Sequence, residues 1–266
     1  MDAAKQNFAV IIPAKNEELS VAAVVTAFFA AFRSLNCPVD VIVVDDHSDD
    51  ATRIRADAAG ARVIALTEKG GLAEAFRSGT VAALAAGAEY IVQVDADGQY
   101  SAEDLPRLVS RALVGGDLVL GNRLWRRPDG MSATRYFANC AFSRLVAGLS
   151  LVSIADSQSG YRIFTRQVAV DCPIATDYTY TQEQVLRAGR AGFAVSDVPV
   201  TFSVRQHGTS RLIPSVVKYS WRVILSVHAV CRSLGIPAHC LLGRAAAAIL
   251  LELRCSWGRY RCTREL

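Results

Sequence analysis

The chain is 266 residues long, 52% hydrophobic and 20% charged, with a net charge of +4. That composition excludes a disordered chain, and the length suits one large α/β domain with an appendage. Its seven cysteines, at 37, 140, 172, 231, 240, 255 and 262, form no C-x-x-C pair and no His/Cys ligand spacing, so they read as reduced, mostly packed thiols.

Residues 1–8 carry no apolar run of signal-peptide length, so a cytoplasmic location is expected. Charge is unevenly spread: residues 1–204 hold 19 basic and 23 acidic side chains, whereas residues 205–266 hold 10 and 2. A basic tail on a neutral-to-acidic body suits an anionic surface.

In chain order, short apolar runs at residues 8–12, 39–44, 63–66 and 90–94 alternate with helix-length stretches at 17–35, 50–59 and 72–86. This alternation predicts a doubly wound α/β layer with a parallel sheet, with Ser48 and Asp49 offering acceptor oxygens as N-caps of the second helix. Residues 125–130 read as a mobile loop, 133–149 and 183–189 as helices, 194–202 as a strand pair edged by Pro199, and 206–210 as another loop. No run of about 18 apolar residues predicts a membrane-spanning helix. Residues 215–234 sort on a helical wheel, with Lys218, Arg222, Ser226, Arg232 and Ser233 on one side and Val216, Val223, Val227, Val230 and Leu234 on the other. Periodicity alone fits either a helix covering the core or one lying on a membrane; the basic charge around it favours the membrane.

Ligands of such sheets bind beyond the carboxyl ends of the strands, and here those ends are polar and acidic. The first run leads into Pro13, Ala14, Lys15, Asn16 and Glu17, the second into Asp45 and Asp46, and the fourth into Asp95 and Asp97. No G-x-G-x-x-G follows any strand, which sets the dinucleotide-oxidoreductase reading aside. Asp95 and Asp97, two residues apart, point to one side of a strand end and can share one divalent cation, with Gln99 one alternation further on as a neutral oxygen. Hard oxygen ligands suit Mg²⁺ or Mn²⁺, whose shells are completed by diphosphate oxygens and water.

The stretch from Ile11 to Glu18, the Asp45–Asp46 pair with Ser48, the run from Lys69 to Leu72, the segment from Asp95 to Gln99, the Gly121–Asn122–Arg123 turn and the segment from Ser159 to Arg162 occur in one order. Over residues 7–212 that order resembles the inverting family-2 glycosyltransferases with the GT-A fold, in particular the polyprenyl-phosphate sugar synthases typified by dolichyl-phosphate mannose synthase. The resemblance implies a GT-A-like catalytic domain over 1–212; the wheel and the basic charge mark 213–266 as an amphipathic tail, expected to be peripheral on the cytoplasmic membrane face. It implies that Pro13, Ala14 and Glu17 line the nucleoside, Asp45 reaches the base, and Asp46 and Lys69 belong to the nucleotide site. Asp95 then lies by the ribose and diphosphate, and Asp97 and Gln99 bind the metal. Arg123 and Arg135 match positions that hold an acceptor phosphate, and Arg211 matches a basic residue closing a loop over the diphosphate. Asp156 and Glu183 can each orient the sugar, act as a base, or simply stabilise a helix N-terminus.

The chain departs from the pattern at His47 and Ala73, where glycine is usual, and at Lys15, where an aromatic is common. Guanine and uracil donors therefore both stay open. The expected partners are a GDP- or UDP-linked sugar, a lipid phosphate acceptor and an anionic membrane surface, with no nucleic acid. A soluble hydroxyl acceptor is the alternative and would need Asp156 or Glu183 as base. A silent nucleotide-sugar binding module would be expected to lack the Asp95–Asp97 pair.

Overall fold

The structure, a computed structural model, describes residues 6–177, 179–205 and 216–237, together with Gly243. Runs rich in Val and Ile become strands because branched side chains pack well on a pleated surface. Every residue of β1 (Phe8–Ala14) is buried, as a strand covered on both faces requires. Phe8, Val10 and Ile12 point into one hydrophobic layer, and Ala9 and Ile11 into the other.

β2 (Val39–Asp45) and β4 (Tyr90–Gln93) flank β1 in parallel, and β3 (Arg62–Ala65) adds outside β2. The sheet continues with β5 (Leu118–Asn122), β6 (Arg162–Thr165) and β7 (Val195–Pro199), in the order β3-β2-β1-β4-β6-β5-β7. β6 runs antiparallel to both β4 and β5, so the sheet is mostly parallel but mixed. The expected strand pair over 194–202 is one strand, β7, plus an isolated bridge between Tyr100 and Phe202, because Pro199 ends the ladder.

Helices α1 (Val21–Ser34), α2 (Thr52–Ala58) and α3 (Gly71–Ala85) are the crossovers; α1 and α2 begin later than the apolar pattern suggests and α3 one residue earlier. Ser48 and Asp49 do not cap α2. The Ser48 hydroxyl instead accepts from the Asn16 N–H at 2.8 Å, and Asp50 accepts from the Thr52 N–H at 3.0 Å. α4 (Leu105–Leu113) packs with α1 on one face of the sheet; α5 (Ala133–Ser150) and α7 (Tyr180–Arg190) pack with α3 on the other. A short helix, α6 (Arg166–Asp171), follows β6.

The wheel over 215–234 is a helix, α8 (Val216–Ser233), though side chains at 216–222 lie outside the described residues. Val223, Val227 and Val230 are buried in the same core as α5 and α7. Its valine face therefore covers the sheet domain rather than a membrane. Ile224 and Leu225 remain exposed on the outward side. No helix among the described residues is long and apolar enough to cross a membrane. The described cysteines, Cys37, Cys140, Cys172 and Cys231, are free thiols.

Candidate active site

The carboxyl ends of β1, β2 and β4 meet at one edge of the sheet. Pro13 and Ala14 close β1 there, both buried. Asp45 closes β2 with its side chain 1% exposed; Oδ2 accepts from the Ser48 N–H at 3.1 Å and lies 3.5 Å from Arg53 Nε. Its other oxygen, Oδ1, is buried without a hydrogen-bond partner. A buried acceptor left unmade is costly, so this atom is ready for a donor such as the N–H of a nucleobase.

Asp46 has a different task from its neighbour. Its Oδ1 accepts from the Gly70 and Gly71 N–H groups at 2.8 and 3.0 Å, tying β2 to the start of α3. One oxygen of Asp46, expected to belong to the nucleotide site, is thus bonded to the chain's own backbone. Lys69, beside those glycines, is exposed. Lys15 Nζ donates to the Asp46 and His47 carbonyls at 2.7 and 2.9 Å. His47 adopts φ +58°, a left-handed conformation that glycine takes without strain, which explains the usual glycine there.

Asp95 and Asp97 follow β4 directly and are partly exposed. Burial, and then the neighbouring Asp97 charge, push the Asp95 carboxyl from 3.8 up to about 7. Two crowded carboxylates of this kind are relieved by a divalent cation, so the donor set fits Mg²⁺ or Mn²⁺. No three His, Cys, Asp or Glu side chains gather into a metal cage among the described residues. An ion held here completes its shell with phosphate oxygens and water.

Gln99 is engaged elsewhere: its side-chain amide donates to the Ser203 carbonyl at 2.8 Å, and its N–H donates to Asp97 Oδ1 at 3.1 Å. Its amide nitrogen is thus committed to the 199–203 segment and its backbone to Asp97. Arg205 is the residue that sequence reasoning missed. Its guanidinium reaches Asp97 Oδ2 at 2.8 Å and Glu17 Oε1 at 3.1 Å, joining positions 108 and 188 residues away. Burial is the main cause of the raised Glu17 carboxyl pKa, which Arg205 opposes.

Arg123 leaves β5 in a 3-10 turn, Arg123–Trp125, capped by the Asn122 side chain, so the expected loop at 125–130 begins as an ordered turn. Trp125 Nε1 donates to the Val200 carbonyl at 3.0 Å. Arg123 meets Asp156 as a fork: Nε donates to Oδ2 at 2.7 Å and Nη2 to Oδ1 at 3.0 Å, and the Arg123 N–H also donates to Oδ2 at 3.1 Å. Its guanidinium lies 5.3 Å over the Phe202 ring. Asp156, fully buried, takes a further bond from the Gln158 N–H at 3.0 Å.

Glu183 is buried and saturated as well. It accepts from the Ala175 N–H at 3.1 Å, the Thr176 N–H at 2.8 Å, the Thr176 hydroxyl at 2.7 Å and Arg187 Nε at 2.7 Å. Such a carboxylate pins the approach to α7 and has little capacity left to take a proton from a substrate. Arg135, in the first turn of α5, is exposed. Arg211 and the loop over 206–210 lie outside the described residues.

A family profile described as glycosyl transferase family 2 matches residues 9–169. The chain is 32% identical to a polyprenol monophosphomannose synthase from Mycolicibacterium smegmatis, covering 80% of this chain and 83% of that protein. It is 33% identical to an undecaprenyl-phosphate mannosyltransferase from Micrococcus luteus, covering 67% and 77%. Among solved structures, glucosyl-3-phosphoglycerate synthase from Mycobacterium tuberculosis, in complex with Mn²⁺, uridine-diphosphate-glucose and phosphoglyceric acid, superposes with a TM-score of 0.67 at 26% identity over 88% of this chain and 82% of that one. With its mixed sheet, its strand-end acids and these relatives in agreement, the chain belongs to glycosyl transferase family 2 and is a glycosyltransferase.

Proposed function

We propose that the protein transfers a sugar from a nucleoside diphosphate sugar to a polyprenyl phosphate, with inversion and with a divalent cation. The observation that carries this reading is the state of the two candidate bases. Asp156 is spent on Arg123, and Glu183 on the 175–176 backbone and Arg187. A hydroxyl acceptor needs a carboxylate to take its proton, whereas a phosphate arrives ionised and needs a cation to position it. Relatives named as polyprenol monophosphomannose synthase and undecaprenyl-phosphate mannosyltransferase support the same acceptor class.

In this reading Pro13, Ala14 and Glu17 line the nucleoside, and Asp45 Oδ1 accepts from the base. Asp95 and Asp97 hold Mg²⁺ or Mn²⁺, which, when bound, neutralises charge on the departing diphosphate. Asp156 holds Arg123 by Nε and Nη2, so Nη1 is the nitrogen aimed at an acceptor phosphate. Asp156 is then a positioning residue rather than a base. Lys69 and Arg135 are proposed as further phosphate contacts, a role that for Arg211 rests on the family resemblance alone. Ile224 and Leu225, exposed on α8 as Arg232 is two turns further on, form the side that meets an anionic membrane surface, in keeping with the basic tail.

The second reading, a soluble acceptor, is favoured by the fold match to a glucosyl-3-phosphoglycerate synthase solved with phosphoglyceric acid. Steady-state kinetics of Glu183→Gln decide between them. Loss of a true base costs roughly 10²- to 10⁴-fold in rate. A folded Glu183→Gln enzyme should instead keep transfer to polyprenyl phosphate within about tenfold. A larger loss at unchanged donor affinity would hand the site to the hydroxyl acceptor.

A further inference from the structure

The segment from Ser159 to Arg162 lies directly against Asp95. We propose that this segment is a brace for the Asp95 carboxylate and that Gly160 is a positioning residue of the donor site. The inference rests on Asp95 serving the donor as proposed above.

Gly160 needs no left-handed backbone, so its lack of a side chain serves space rather than turning. A Cβ built there would lie 2.8 Å from both Cγ and Oδ1 of Asp95, and closer still to Oδ2. Side-chain carbons do not approach so closely, so either the carboxylate or the segment must move.

The segment is held from four sides. The Gly160 N–H donates to the Tyr100 hydroxyl at 2.9 Å, and the Gly121 N–H donates to the Tyr161 carbonyl at 2.8 Å. Arg162, fully buried, grips the Ser159 carbonyl with Nη2, while its Nη1 donates to the Thr181 carbonyl at 3.1 Å and to Gln184 Oε1 at 3.0 Å. Arg162 also pairs across the sheet with Gln93, two residues before Asp95, so β6 and the strand bearing Asp95 share one register. With the backbone fixed, the carboxylate is the part that yields. Asp95 is thereby held in one orientation before any ligand arrives, and that orientation would be lost if position 160 carried a methyl group.

The experiment is a double-mutant cycle on the full chain with Gly160→Ala, Asp95→Ala and the double variant. Binding of UDP and of GDP in the presence of Mn²⁺ is measured by calorimetry, and unfolding by thermal melting. Gly160→Ala alone should weaken nucleotide binding by about tenfold or more and lower the melting temperature. In the Asp95→Ala background, where the carboxylate is gone, adding Gly160→Ala should change neither. If Gly160→Ala alone fails to fold, the double variant should still fold and melt like Asp95→Ala. Equal drops in melting temperature in both backgrounds, or nucleotide binding by Gly160→Ala indistinguishable from the unaltered protein, would overturn the brace. Undiminished nucleotide binding by Asp95→Ala would instead remove the donor role of Asp95, and the brace's function with it.

Discussion

Arg123 and Asp156 form a buried fork whose energetics separate a structural pair from a working one. Side-chain exposure is 13% for Arg123 and 0% for Asp156. Removing either partner leaves the other charge buried and unpaired, a cost of about 3–5 kcal/mol, whereas an apolar replacement of both restores much of it. Arg123→Met and Asp156→Leu should each lower the free energy of unfolding in denaturant more than the two together; additive losses would contradict the pairing. In transfer assays Asp156→Asn should resemble Arg123→Ala, losing about one to two orders of magnitude in rate with donor binding retained. A second test concerns Asp95, whose carboxyl is raised from 3.8 to about 7 by burial and by Asp97. Between those values the folded chain keeps a proton that the unfolded chain gives up, so this contribution to stability is complete below about pH 4 and is lost as pH rises through about 7. Unfolding free energies of the metal-free protein should therefore fall relative to those of Asp95→Asn across that window. Parallel curves would show that the carboxyl is not perturbed. The strand-end acids could be read from sequence because a polar residue after a buried apolar run has few places to go. What Asp46, Asp156 and Glu183 bond to could not be read, because each partner is set by a long-range contact. Arg205 was invisible for the same reason, since nothing local links it to Glu17 or Asp97.

At the scale of elements, α8 carries the clearest division of labour. Val227 is 1% exposed and packs into the core with α7, whereas Ile224 and Leu225 are 43% and 51% exposed. A charge at Val227 would be buried without a partner, so Val227→Asp should destabilise the fold by about 3 kcal/mol or more, read as a lower melting temperature. Ile224→Asp with Leu225→Asp should leave melting nearly unchanged but reduce flotation with anionic vesicles at low salt. Unchanged flotation would remove α8 from the membrane contact. The wheel identified this helix and its apolar face but not what that face covers, because core and membrane present the same periodicity. The first three crossovers were legible, since each joins two parallel strands of the sheet through a helix, α1 and α2 between neighbours and α3 across β2 and β1. β5 and β6 were harder. β6 is four residues long and inserts antiparallel between β4 and β5, a pairing that no local pattern encodes.

For the whole molecule, the sheet order brings the ends of β1, β2 and β4 together, while the β5 turn carries Arg123 to Phe202 of the 199–203 segment. In the proposed reaction donor and acceptor sides come from different halves of the chain, joined by the β4–β6 pairing, the Tyr100–Phe202 bridge and the Arg205 contacts to Glu17 and Asp97. The proposed reaction places a nucleoside diphosphate sugar on the first and a lipid phosphate on the second. The most direct measurement incubates purified protein with UDP- and GDP-linked sugars carrying a labelled sugar and Mn²⁺, with polyprenyl phosphate, with polyprenol lacking the phosphate, or with phosphoglyceric acid. Label should enter the lipid phase only with polyprenyl phosphate, and chelation should abolish that transfer. Label passing to phosphoglyceric acid while polyprenyl phosphate stays inert, or transfer that persists in excess chelator, would contradict the proposed reaction.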